Sequence, residues 1–119
     1  MKEEKETRQP LTLMEQAEAR FGKELVEAWR KQYAPRKVTI IEVDGKICAL
    51  APVTAQAVSQ FATLAANPQG GLESASRMLL ESQWIDGDAC LRDDDDYFIT
   101  VMLQVQQLIE LKKSSVMKL

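Results

Sequence analysis

The chain has 119 residues, 45% of them apolar and 28% charged, which is one domain's worth of sequence and needs neither disulfide nor metal to hold a core. Its 15 basic and 18 acidic residues leave a net charge of −3, so no overall positive field attracts phosphate backbones and nucleic acid is excluded as a main partner. No apolar run reaches the roughly 18 to 20 residues of a membrane span, and the opening KEEKETRQ has no apolar signal core, which points to a soluble cytoplasmic protein.

Residues 1–9 are charged without apolar period and read as a frayed tail ahead of a single α+β domain over 10–119. Thr12 and Glu15 have the spacing of a capping box, in which each side chain satisfies the other's free backbone amide. One helix is expected from there to Pro35, with Met14, Ala17, Phe21, Leu25 and either Ala28 or Trp29 as its apolar stripe. Gly22 in its interior costs about 1 kcal/mol relative to alanine, so this helix depends on packing.

The period then changes. Val38, Thr39, Ile40, Ile41 and Val43 lead into Asp44-Gly45, followed by Lys46, Ile47, Cys48 and Leu50, the pattern of a two-residue hairpin. The turn sets the register: Val43 opposes Lys46, Glu42 opposes Ile47, Ile41 opposes Cys48 and Ile40 opposes Ala49. Both faces are largely apolar, so helices should cover the hairpin, and its edge could take a third strand or a partner chain. Further helices are expected from Ala55 to Ala66, capped by Thr54, from Leu72 to Gln83, and from near Asp94 to about Lys112. In the last, Phe98, Val101, Met102, Val105, Leu108 and Ile109 repeat in an a and d pattern, with Lys112 and Lys113 at the end where the helix dipole favours cations. Trp84 and Ile85 should anchor the end of the helix before it.

Histidine is absent, which removes Ser-His and Cys-His nucleophile pairs, histidine-ligated zinc and imidazole bases together. Cys48 and Cys90 lie far apart, without paired metal-ligand spacing, and read as small apolar groups in a reducing compartment. The stretch from Trp84 to Met102, WIDGDACLRDDDDYFITVM, asks whether its acidic residues hold an ion. A calcium loop beginning at Asp86 fails: Cys90 stands where the third ligand should be, Leu91 replaces the glycine and Tyr97 takes the twelfth position. The simpler reading makes Asp86-Gly87 a turn, with Asp93, Asp94, Asp95 and Asp96 as an N-cap and negative charge at the start of the last helix. An acidic docking patch for a basic partner is the other use of those aspartates. Asp86 and Asp88 as an acid and base pair lack any phosphate loop or second polar cluster, so no catalytic residue, cofactor or metal is assigned. Trp29, Tyr33 and Trp84 remain as aromatic anchors for a protein partner or for the core.

The order of N-terminal helix, strand, Asp-Gly turn, strand, Pro-led helix, then W-I-x-G-D, an acidic run and a long terminal helix resembles small phage or prophage proteins of the tail assembly chaperone type. The likeness covers Val38 to about Leu111 and rests on TIIEVDGKICALAPVTAQAV and ESQWIDGDACLRDDDDYF. It implies a non-enzymatic protein that binds the tail tube or tape-measure protein during virion assembly. The competing reading is an intracellular adaptor or regulatory domain that homodimerises through its last helix. The expected fold is α+β and mostly helical, with one antiparallel hairpin packed on three or four helices.

Overall fold

The computed structural model describes residues 11–109 and 114–119. The tail expected at 1–9, and Lys112 and Lys113 at the last helix end, lie outside these. Helix α1, Leu13–Phe21, opens on the expected capping box: the Thr12 hydroxyl accepts from the Glu15 amide at 3.1 Å, and the Glu15 carboxylate accepts from the Thr12 amide at 2.9 Å.

The single helix expected to run on to Pro35 is two. At Gly22 the backbone takes φ 96° and ψ 141°, and α2 follows as Lys23–Tyr33. Leaving the helix at the one residue without a Cβ removes the cost of a helical glycine and divides the segment into two short helices. The break also changes which side chains face inward. Ala17, Val26 and Trp29 are buried, whereas Met14 and Leu25, expected in the stripe, are 45% and 39% exposed. Ala34 leaves the helical region ahead of Pro35, as the steric rule for residues before proline requires.

Strands β1, Thr39–Val43, and β2, Lys46–Leu50, form the hairpin in the expected register, with Asp44 at φ 51° and Gly45 at φ 85° in the turn. The sheet has one strand more than the hairpin. Trp84–Gly87, read from sequence as a helix end followed by a turn, is β3 and pairs antiparallel with β2, giving the order β1-β2-β3. Gly87 is needed because a Cβ there would stand 2.5 Å from the Cα of Cys48, well inside contact distance. Beyond β3 the Asp88 amide donates to the Ile47 carbonyl at 2.9 Å and the Asp88 carboxylate accepts from the Ile47 amide at 2.8 Å, so a side chain extends the ladder past the strand.

Because successive side chains alternate, the sheet has two apolar faces, and each has its own helices. Ile41, Cys48 and Leu50 meet α3, Ala55–Ala65, α4, Gly71–Gln83, the short α5, Cys90–Asp93, and α6, Asp95–Gln104. Ile47 and Ala49, flanked by Ile40 and Ile85, meet α1 and α2. The result is a small α+β domain with its sheet between two helical layers. Thr54 caps α3 as expected, accepting from the Ala57 amide at 3.1 Å.

The last helix tightens into a 3₁₀ turn at Val105–Leu108, short of the expected end near Lys112. Side chains three apart eclipse in a 3₁₀ turn, which aligns Val105 and Leu108, both buried. With Phe98 and Val101 buried beside them, the a and d residues are consumed by this chain's own core. Its free face instead carries Ile99 and Leu103, each 61% exposed.

A candidate protein-docking site

The N-terminal layer leaves a groove of about 530 Å³ between α1, α2 and the edge of the sheet. Leu13, Met14, Ala17 and Trp29 form one wall, and Val38 and Ile40 form the other. Arg30, Arg36 and Lys37 line it as well, and among the described residues no carboxylate does; Glu27 lies 3.8 Å from Arg30 on the solvent side of α2. Trp29 is held edge-on against Phe21, with ring centroids 5.0 Å apart, so one wall of the groove is rigid.

Beside this groove runs a strand edge with no neighbouring strand among the described residues. In a two-residue hairpin the residues flanking the turn exchange both backbone hydrogen bonds, and so does every second pair beyond them. Val43, Ile41 and Thr39 are therefore bonded to β2, while the amides and carbonyls of Ile40 and Glu42 point away from it. On β2 the same alternation turns Ile47 and Ala49 toward β3 and Asp88, which satisfy them. No fourth strand lies on β1 among the described residues.

The acidic run from Asp93 to Asp96 follows α5 in the opposite layer, while Asp88, at the end of β3, reaches back to Arg20 of α1. Asp94 caps α6 by accepting from the Asp96 amide at 3.0 Å, and Asp86 accepts from the Gly87 amide at 2.8 Å. Asp93 lies 3.3 Å from Arg92, Asp95 lies 3.7 Å from Arg77, and Asp88 lies 3.6 Å from Arg20. Arg92 covers the ring of Trp84 and Arg77 that of Phe98, at 4.6 and 4.0 Å, so two guanidinium groups shield the aromatic rings beneath the acidic run. Among the described residues no three acidic or thiol groups converge on a point where an ion would sit. Burial pushes the Cys48 thiol up to about 12, with the nearby Asp88 charge adding to the shift and a backbone hydrogen bond to Ile41 opposing it. At neutral pH it is an un-ionised thiol in the core and a poor nucleophile.

The aromatic and acidic candidates thus fall into two groups. Trp29 is buried on the groove wall and Tyr33 is half-buried in the same layer, whereas half-buried Trp84 lies on the opposite face near exposed Asp93, Asp94, Asp95 and Asp96. Sequence reading missed Leu13, Val38, Arg36 and Lys37 as groove residues. The available signal was the basic pair between Pro35 and the first β-branched residue. No family model, curated protein or solved structure matches the chain.

Proposed function

We propose that this chain is a small non-enzymatic, cytoplasmic protein-binding domain of the phage tail assembly chaperone type, which holds a segment of the tail tube or tape-measure protein during virion assembly. The observation that carries the reading is the groove: an apolar, cation-lined cleft beside an open strand edge, on a domain in which Asp93, Asp94 and Asp95 are held in a cap and ion pairs. A cleft of this size, with apolar walls and a few charged groups, suits recognition of a protein segment. The chain order that resembles tail assembly chaperones supports the finer assignment.

The test is co-expression with candidate tail tube and tape-measure proteins from the source genome, followed by size-exclusion chromatography. Co-elution with the wild-type chain, lost when exposed Leu13 and Met14 are both replaced by Glu, is the expected result; no co-elution, or co-elution indifferent to those substitutions, counts against it. A second reading, the homodimeric adaptor, is favoured by the exposed Ile99 and Leu103 one turn apart on α6. A dimer by light scattering that Leu103→Lys converts to monomer would support it.

A further inference from the structure

We propose that the open edge of β1 takes an extended, acidic segment of the partner as a fourth strand, whose alternate apolar side chains fill the groove beneath α1. This rests on the reading of the chain as a protein-binding domain and specifies how the partner is held. The geometry has three parts. The backbone groups of Ile40 and Glu42 point outward, two residues apart, which is the repeat an added strand pairs with. Val38 and Ile40, also two apart, present their side chains on the face covered by α1 and α2, so a strand laid against β1 would send every second side chain onto that face. There it would meet Leu13 and Met14, 42% and 45% exposed, which line the groove together with Val38 and Ile40.

Charge selects the occupant. Arg30, Arg36 and Lys37 line the cleft with no carboxylate beside them among the described residues, and Arg36 and Lys37 sit at the N-terminal approach to β1. Glu42 lies toward the turn end of the strand and bonds the Gly45 amide at 2.6 Å. The acidic residues of the incoming segment therefore belong at the Lys37 end, with apolar residues running toward Glu42. A helix in the groove would use the apolar walls and the cations but leave the β1 amides unpaired, which separates the two modes of binding.

The probe is an acetylated, amidated octapeptide of alternating valine and threonine with two glutamates at one end, titrated into the full chain. Trp29 fluorescence reports groove occupancy, and amide hydrogen exchange reports the edge. Binding should slow exchange at Ile40 and Glu42 at least tenfold. N-methylating the peptide at either its valine or its threonine amides should weaken binding at least tenfold for one set and less than twofold for the other, because alternate amides face opposite edges of a strand. Since the methyl groups are on the peptide, the folding of the protein is untouched. Exchanging the glutamates for lysines should weaken binding tenfold, and Arg36→Glu with Lys37→Glu should reverse that preference. Four outcomes overturn the proposal: no binding; binding that leaves Ile40 and Glu42 unprotected; equal effects of both methylation patterns; or amides already protected in the free chain, which would place a segment of the chain itself on the edge. Failure of the peptide with retained co-elution of the tail proteins removes the strand mode alone. Peptide binding without co-elution removes the tail-protein assignment alone.

Discussion

The two helical layers cover one sheet in different ways. On the C-terminal side Leu50, Leu79, Leu80, Leu91, Val101 and Val105 are fully buried, and Gln83 in the same layer donates to the Pro52 carbonyl at 2.8 Å. On the N-terminal side the helices bury only Ala17, Val26 and Trp29 against Ile47 and Ala49 of the sheet, while Leu13, Met14 and Leu25 remain about as exposed as surface residues. One layer is closed, polar groups included. Both layers keep apolar side chains on their outer faces, Ile99 and Leu103 among them, but only in the N-terminal layer do they line a groove beside the open strand edge, and that placement is what assigns core to the first and docking to the second.

The contrast breaks most readily in the closed layer. Leu79→Ala, at a fully buried position, should lower the unfolding free energy by about 2 to 5 kcal/mol in a denaturant titration, whereas Met14→Ala in the open layer should change it by less than about 0.5 kcal/mol. Equal losses would make both layers core. Next in size is Gly87→Ala, which drives a Cβ against Cys48 and should cost about 1 to 3 kcal/mol by the same measurement.

Cys48 sharpens the comparison through pH. Its thiol is held at about 12 in the folded state, above the ordinary value of 9.0. The unfolded chain therefore releases this proton first, and folding is favoured fully below pH 9 and progressively less as pH rises toward 12. Stability should fall between those limits by about 1 kcal/mol per pH unit more in the wild type than in Cys48→Ala. Parallel slopes would mean the thiol is not closed off from water. The smallest effect belongs to the acidic run: Asp94→Ala should cost about 1 kcal/mol through loss of its cap, and Asp94→Asn much less. Calcium-dependent stabilisation lost in those variants would restore an ion to the junction.

Sequence reported best what is decided locally. Asp44-Gly45 dictates its turn within four residues, so the hairpin register could be read in full, and the Thr12 and Thr54 caps likewise. Strand β3 could not be read this way. The tetrapeptide WIDG has an Asp and a Gly that disfavour a strand, and it becomes one by pairing with β2 more than thirty residues earlier. The break at Gly22 was hidden because a helical spacing of apolar residues continues through it. The groove was hidden for a different reason: Leu13, Trp29 and Ile40 meet only once α1, α2 and β1 are in place. The aspartates drew attention by their density, yet density does not show direction, and Asp86, Asp88, Asp93, Asp94 and Asp95 each turn to an amide or guanidinium group.

The most direct test of the division between a closed and an open side is residue-resolved hydrogen exchange on the free chain. Ile41 and Val43, bonded to β2, should exchange slowly, while Ile40 and Glu42 between them exchange at rates close to those of an unstructured peptide. Slow exchange at all four would mean that the β1 edge is already occupied and that this side of the molecule is not the docking surface.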